Sequence, residues 1–286
     1  MNIFMIFNIF FVVVSALFGI VIGSFLNVVI YRIPEGRTIV KGHSMCMSCG
    51  HELGALDLVP VFSWLFLGGK CRYCKAPVSS RYIKIESFTG LVFLLYAVTH
   101  LKYQLDILDL YKIPGLVVFC YYCITLLVLA SLVSAMMIYY DKQRSYYGYS
   151  VFTGCAAVVL SALTLAVEKP SSVAAYLLIA VSVSLIGCGI TALFSRILRK
   201  KYTAADFWLD IPFAFFYAYY GRLSSNYDYA IIAMILLLIL PRSILKDTKF
   251  DKYSAIVSMC GIVLFNVIGF ILNRLSDNLF CSALVF

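Results

Sequence analysis

The stretch MNIFMIFNIFFVVVSALFGIVIGSFLNVVIY, residues 1–31, contains no charged side chain. A helix needs roughly 20 mostly apolar residues to cross a bilayer, so this run reads as a membrane span. It is too long, and lacks the basic start, for a cleaved signal peptide. Gly19 and Gly23 stand four residues apart, the small-xxx-small spacing that lets two helices approach closely. Around this run lies a chain of 286 residues that is 63% hydrophobic and only 13% charged, with a mean hydropathy of +0.94. A soluble domain is nearer a quarter charged, and a globule must still cover itself with polar atoms. The composition therefore excludes a soluble enzyme, a disordered chain and a secreted disulfide scaffold, and makes lipid the solvent for most of the protein.

Further uncharged runs occupy 113–140, 145–167, 170–195 and 253–273, with shorter apolar runs at 87–101, 211–221 and 229–241. The expected fold is an all-α polytopic membrane protein with about eight transmembrane helices, near 3–31, 84–101, 114–140, 147–167, 172–195, 207–221, 228–245 and 254–273. The net charge of +9 would suggest a nucleic-acid partner in a soluble domain, but 18 of the 23 Lys and Arg fall in the alternate segments 32–84, 141–146, 196–206 and 242–252. That is the positive-inside pattern. It accounts for the charge without nucleic acid, and it places the N-terminus outside and the loop 32–84 in the cytoplasm.

That loop holds Cys46-x-x-Cys49 and Cys71-x-x-Cys74. A segment of this size buries little core by itself. A tetrahedral thiolate site would supply the missing folding energy, and a reducing cytoplasm disfavours disulfides. The spacing predicts a structural zinc at Cys46, Cys49, Cys71 and Cys74; the alternative is four free thiols. Gly50 follows one pair and Lys75 the other. His43 and His51 lie nearby but are not needed as ligands. Cys120, Cys123, Cys155, Cys188, Cys260 and Cys281 lie in or beside apolar runs and read as small hydrophobes.

Ionisable groups at or within spans are costly and often functional. Asp141 ends the third span at the cytoplasmic face, Asp206 begins the sixth at the same face, and Asp210 lies one turn deeper. Two aspartates meeting in the bundle can share a proton and activate water for peptide hydrolysis. The bland alternative is that both cap or snorkel at helix ends. No H-E-x-x-H, nucleophile-elbow serine, P-loop or GxGxxG is present, which argues against zinc-protease and serine-protease chemistry.

The decapeptide Gly23-Ser24-Phe25-Leu26-Asn27-Val28-Val29-Ile30-Tyr31-Arg32 resembles the opening signature of the type IV prepilin peptidases. So do Cys46-Met47-Ser48-Cys49-Gly50-His51, Asp57-Leu58-Val59-Pro60, Ser63-Trp64, Gly69-Lys70-Cys71-Arg72-Tyr73-Cys74, Pro77, Ser79, Arg81-Tyr82 and Glu86. The resemblance is dense over residues 19–90 and rests on architecture and isolated aspartates beyond.

The resemblance implies a bacterial inner-membrane aspartic peptidase that removes the leader of prepilins and pseudopilins for type IV pili and type II secretion. It also implies an N-methyltransferase that uses S-adenosylmethionine on the new N-terminus. Gly69 and Lys70 fall on positions associated with methyl transfer. Residues 1–31 would be the first span, 32–84 the zinc-binding head and 85–286 the peptidase domain. Asp141 and Asp206 would be catalytic. Yet Thr203-Ala204-Ala205-Asp206 stands where the family has Gly-x-Gly-Asp, Trp208 replaces its lysine, and the Ile-Pro expected after Asp141 is missing; Asp210 offers an alternative alignment. Methyl transfer without proteolysis, and a non-catalytic scaffold of a pilus or secretion assembly, are the rival expectations.

Overall fold

The structure, a computed structural model, describes residues 3–40, 42–111, 115–142, 146, 148–156, 159, 173–223 and 234–283. Every regular element among the described residues is helical, apart from two isolated β-bridges in the head. The chain divides into two compact units, Met1–Val98 and Thr99–Phe286.

In the first unit, α1 (Ile3–Arg32) is the uncharged run. It stops where Pro34 cannot continue the hydrogen-bond ladder. A single 3₁₀ turn (Ile33–Glu35) follows, closed by Gly36 at φ 67°. After the head, α3 (Arg81–Tyr111) returns against α1. The two helices touch where side chains are smallest. A Cβ on Gly19 would lie 2.9 Å from the Cα of Gly90, and one on Gly23 would lie 2.7 Å from the Cα of Glu86. The small-residue spacing in α1 is therefore a helix-crossing device. Asn27 is buried there and donates from its amide to the Tyr82 carbonyl at 3.4 Å, so it acts as interhelical glue.

The head carries a short helix, α2 (Phe62–Phe66). It is entered through a γ-turn: Val61 sits at φ 63°, ψ −54°, and the Phe62 N–H donates to the Pro60 carbonyl at 2.6 Å. This is a strained conformation for a β-branched residue, costing about 1–3 kcal/mol. The buried Glu86 of α3 holds the turn by accepting the Val61 N–H at 2.6 Å.

The second unit contains α4 (Gly115–Lys142), α5 (residues 148–156), α6 (Val173–Ile197), α7 (Ala204–Leu223), α8 (Leu240–Ile244) and α9 (Asp251–Ala283). Here α6 packs on α7 and α8, while α9 packs on α4, α7 and α8. A π-helical turn (Ile235–Ile239) leads into α8. Pro241 explains it, because its ring crowds the carbonyl four residues back and its nitrogen donates nothing, which widens the preceding turn.

Among the described residues, four helices are long and apolar enough to cross a membrane: Ile6–Glu35, Arg81–Thr99, Tyr122–Lys142 and Asp251–Ile271. They coincide with the first, second, third and eighth expected spans. Val181–Ile197 and Ile235–Ile244 are apolar but shorter. The expected span 207–221 falls inside α7, whose first half is interrupted by Asp206, Asp210 and Pro212. Most of 147–167 and the start of 228–245 lie outside the described residues.

Candidate functional site

Two polar sites stand out, one in each unit. In the head, two knuckles repeat the same backbone plan. The Gly50 N–H donates to the Cys46 carbonyl at 2.8 Å, and the Lys75 N–H to the Cys71 carbonyl at 3.1 Å. The Cys46 N–H donates to His51 O at 2.9 Å and the Cys71 N–H to Ala76 O at 2.8 Å. One bridge, Met45 to Glu52, closes the first knuckle and another, Lys70 to Pro77, closes the second. Both turns need a left-handed residue, filled by Gly50 at φ 69° and by Lys75 at φ 59°.

The four sulfurs of Cys46, Cys49, Cys71 and Cys74 lie within 4.8 Å of one another, and Cys46 Sγ is 3.8 Å from Cys74 Sγ. Tetrahedral zinc with Zn–S bonds of about 2.3 Å puts its sulfurs about 3.8 Å apart. Donor type, number and spacing all fit zinc. The metal-free thiols are unequal. The N–H of Cys49, then that of Ser48, stabilises a thiolate on Cys46 and lowers it to about 6. At Cys74 the Ala76 N–H acts in the lowering direction, but desolvation and the hydrogen bonds to Cys49, Cys71 and Cys46 outweigh it and raise the thiol to about 11. A bound cation resolves that competition by favouring thiolate at every position.

The rest of the head braces these turns. Arg72 donates from Nε to Asp57 at 2.5 Å and Tyr73 donates its hydroxyl to the same carboxylate at 3.2 Å. The Arg72 contact, foremost, holds Asp57 below the ordinary carboxylate range. His51 stacks on Tyr73 with ring centroids 3.6 Å apart, and His43 pairs with Glu52 at 2.7 Å. Both histidines thus have other work than metal binding. Gly69 is buried at φ 68°, and a Cβ there would strike the Trp64 ring at 2.7 Å. Lys70, its neighbour, is exposed.

The second site is a buried charge cluster between α4, α7, α8 and the start of α9. Asp206 and Asp210 are one turn apart on α7; Arg242 and Lys246 have the same spacing at and just past α8. The pairs mesh in antiparallel order. Lys246 Nζ lies 2.8 Å from Asp206 Oδ1, and Arg242 Nε lies 2.6 Å from Asp210 Oδ1. Arg242 also reaches Asp206 at 3.5 Å and donates to Ser254 at 3.0 Å. Tyr202 donates to the other oxygen of Asp210 at 2.7 Å. Tyr139, from the last turn of α4, lies beneath the Arg242 guanidinium at 4.4 Å from ring centroid, donates to Asp251 at 2.7 Å and accepts from Lys246 at 3.0 Å. Three carboxylates therefore face two cations out of water.

Asp206 is committed twice. Its Oδ1 meets the cations, and its Oδ2 accepts the N–H of Thr203 at 3.0 Å and the Thr203 hydroxyl at 2.7 Å, while Thr203 Oγ1 accepts the Asp206 N–H at 3.3 Å. This is a reciprocal capping box at the start of α7, the residue pattern that stands in the Gly-x-Gly-Asp position.

Asp141 is exposed in the last turn of α4. Two residues advance a helix by about 200°, so the turn that buries Tyr139 carries Asp141 to the other face. Arg242, Lys246, Tyr139 and Asp251 were not expected from the sequence. One signal was available: basic residues spaced i, i+4 at the end of an apolar run, matching the spacing of Asp206 and Asp210.

Residues 17–100 match the family model described as "Bacterial Peptidase A24 N-terminal domain". The chain is similar to a "Prepilin leader peptidase/N-methyltransferase" of Myxococcus xanthus (strain DK1622), 48% identical over 26% of this chain and 22% of that protein. A protein of the same name from Aeromonas hydrophila is 37% identical over 29% of this chain and 37% of its own length, and one from Vibrio cholerae serotype O1 is 36% identical over 30% and 38%. The chain thus spans between about a fifth and two fifths of the length of the curated relatives it matches. No solved structure matches it.

Proposed function

From an N-terminal third that belongs to the A24 prepilin peptidase family, we propose that this protein processes prepilins or pseudopilins at the cytoplasmic face of a bacterial inner membrane. It removes the leader and methylates the new N-terminus with S-adenosylmethionine as co-substrate. About eight spans, the N-terminus outside and the four-cysteine head inside, complete the reading. Zinc at Cys46, Cys49, Cys71 and Cys74 supplies folding energy to the head. Gly69 and Lys70 belong to the methyl-transfer side, and the peptidase occupies the remainder of the chain.

The observation that carries this reading is the head itself, where the family match, the thiol geometry and the tight α1–α3 crossing coincide. For hydrolysis, Asp206 and Asp141 form the carboxylate pair. One takes a proton from the attacking water while the other protonates the carbonyl oxygen. That arrangement requires Lys246 to release Asp206 and Asp141 to turn inward. Co-expression with a matching prepilin tests it. Asp141→Asn and Asp206→Asn each stop leader removal, whereas unchanged cleavage in either variant defeats the assignment; loss with Asp210→Asn alone moves the second aspartate to Asp210.

One observation favours a second reading, methyl transfer without proteolysis: both oxygens of Asp206 are engaged by the capping box and the two cations. Mass spectrometry of the pilin N-terminus separates the two. The peptidase yields a cut, methylated amine from full-length prepilin. The transferase leaves the leader intact and methylates only a pilin that arrives already cut.

A further inference from the structure

The head contains an apolar surface that the function above leaves unused. Leu56, Leu58, Val59, Phe62, Leu65 and Phe66 are all exposed, Phe66 at 85% and Leu56 at 74%. An apolar patch of this kind on a water-facing domain marks an interaction surface. Its depth identifies the partner. Val61, at the entry to α2, is hydrogen-bonded to Glu86, which lies five residues, about 7.5 Å, into α3. Glu86 in turn abuts Gly23 of α1, nine residues or about 13.5 Å before Arg32. Both positions fall inside the stretches Arg81–Thr99 and Ile6–Glu35 that are apolar enough to cross a membrane.

Thus α2 starts beside the two spans, below their cytoplasmic ends, and the strained turn at Val61 keeps it there. Trp64, whose indole N–H donates to the Val78 carbonyl at 3.1 Å, is the residue type that favours a bilayer interface. Lys70 and Lys84 are exposed on the surrounding chain, and lysines near such a surface are attracted to the anionic headgroups of a cytoplasmic leaflet.

We propose that Leu56–Phe66 is a monotopic wedge seated at the headgroup–acyl boundary beside α1 and α3, so that lipid covers it. The wedge anchors the head at a fixed depth and angle to the bilayer. It depends on α1 and α3 spanning the membrane and on no catalytic role for any residue.

The full chain, reconstituted in nanodiscs of phosphatidylethanolamine and phosphatidylglycerol, tests this by hydroxyl-radical footprinting with mass spectrometry. After correction for intrinsic reactivity, Phe62 and Phe66 are modified at least about tenfold more slowly than Met47, which is also exposed. Modification of Phe66 at the rate of Met47 overturns the proposal. The occupant is then read with Phe66→p-benzoylphenylalanine and ultraviolet light. A phospholipid adduct is expected. A cross-link to a second copy of the chain without lipid adduct, or protection that arises only when a prepilin-type peptide is added, overturns the lipid assignment.

Discussion

The thiol head and the buried charge cluster face opposite electrostatic problems. The head gathers four groups of one kind, which repel as thiolates and need an external cation to settle. The cluster gathers groups of both signs, which settle among themselves: Asp210 with Arg242, Asp206 with Lys246, and Asp251 with Tyr139 and Lys246. A site that waits for a cation is fit for metal. A site whose charges are largely paired, with three carboxylates against two cations, is fit to hold helices. The comparison places the unmet chemical demand in the unit that carries the family match.

The sharpest way to break this contrast is to remove the metal. A structural zinc site in peptides contributes roughly 10–16 kcal/mol of apparent binding energy that is also folding energy. Chelation, or Cys46→Ser, should therefore unfold the head while α4, α7 and α9 stay protected. Hydrogen exchange along the full chain, together with metal analysis by mass spectrometry, checks both halves. An unchanged head without metal would return the cysteines to free thiols.

The cluster predicts a smaller loss with a distinctive rescue. Arg242→Met leaves Asp210 buried and uncompensated, a change that typically costs about 3–5 kcal/mol. Adding Asp210→Leu should recover most of it, because removing both charges also removes their desolvation. Denaturant unfolding in detergent measures the double-mutant cycle. A double variant no better than Arg242→Met would show that the pair is not the energetic unit.

Within the head, the two knuckles allow a finer test. Left-handed backbone costs an L-residue roughly 1–2 kcal/mol, whereas the extra freedom of an unfolded glycine costs about 0.4–1 kcal/mol. Lys75→Gly should therefore stabilise the second knuckle by about 0.5–1 kcal/mol, making it match the first. Slower amide exchange around Cys71–Ala76 is the readout.

The smallest effect is acid dependence. Asp57, held by Arg72 with help from the Gly54 N–H and the Tyr73 hydroxyl, has its carboxyl depressed on folding. Its contribution is complete above the unfolded carboxylate value of about 4 and fades as pH falls through the lower folded value. Asp57→Asn should remove that part of the acid sensitivity, read as a shallower change in head amide exchange below about pH 4.

Much of the first unit was legible in its residues because its signals are local or strictly spaced. An uncharged run must be helical in lipid, two C-x-x-C pairs make two knuckles, and Gly19-x-x-x-Gly23 invites a partner helix. The cluster was half legible. Asp206 and Asp210 stood out as charges in apolar surroundings, but the expected partner, Asp141, is on the exposed side of its helix, while Tyr139 reaches the cluster. A residue's azimuth on a helix depends on which neighbour that helix packs against, and composition carries no trace of it.

The sequence by itself determined the long apolar runs, the helical class and the metal-type donor set, since each follows from counting apolar, charged and sulfur-bearing residues along the chain. Only the tertiary structure decided which charges meet. Arg242 is 32 residues from Asp210 and Lys246 is 40 from Asp206, and a buried charge takes its meaning from the group a few ångströms away rather than from its neighbours in sequence.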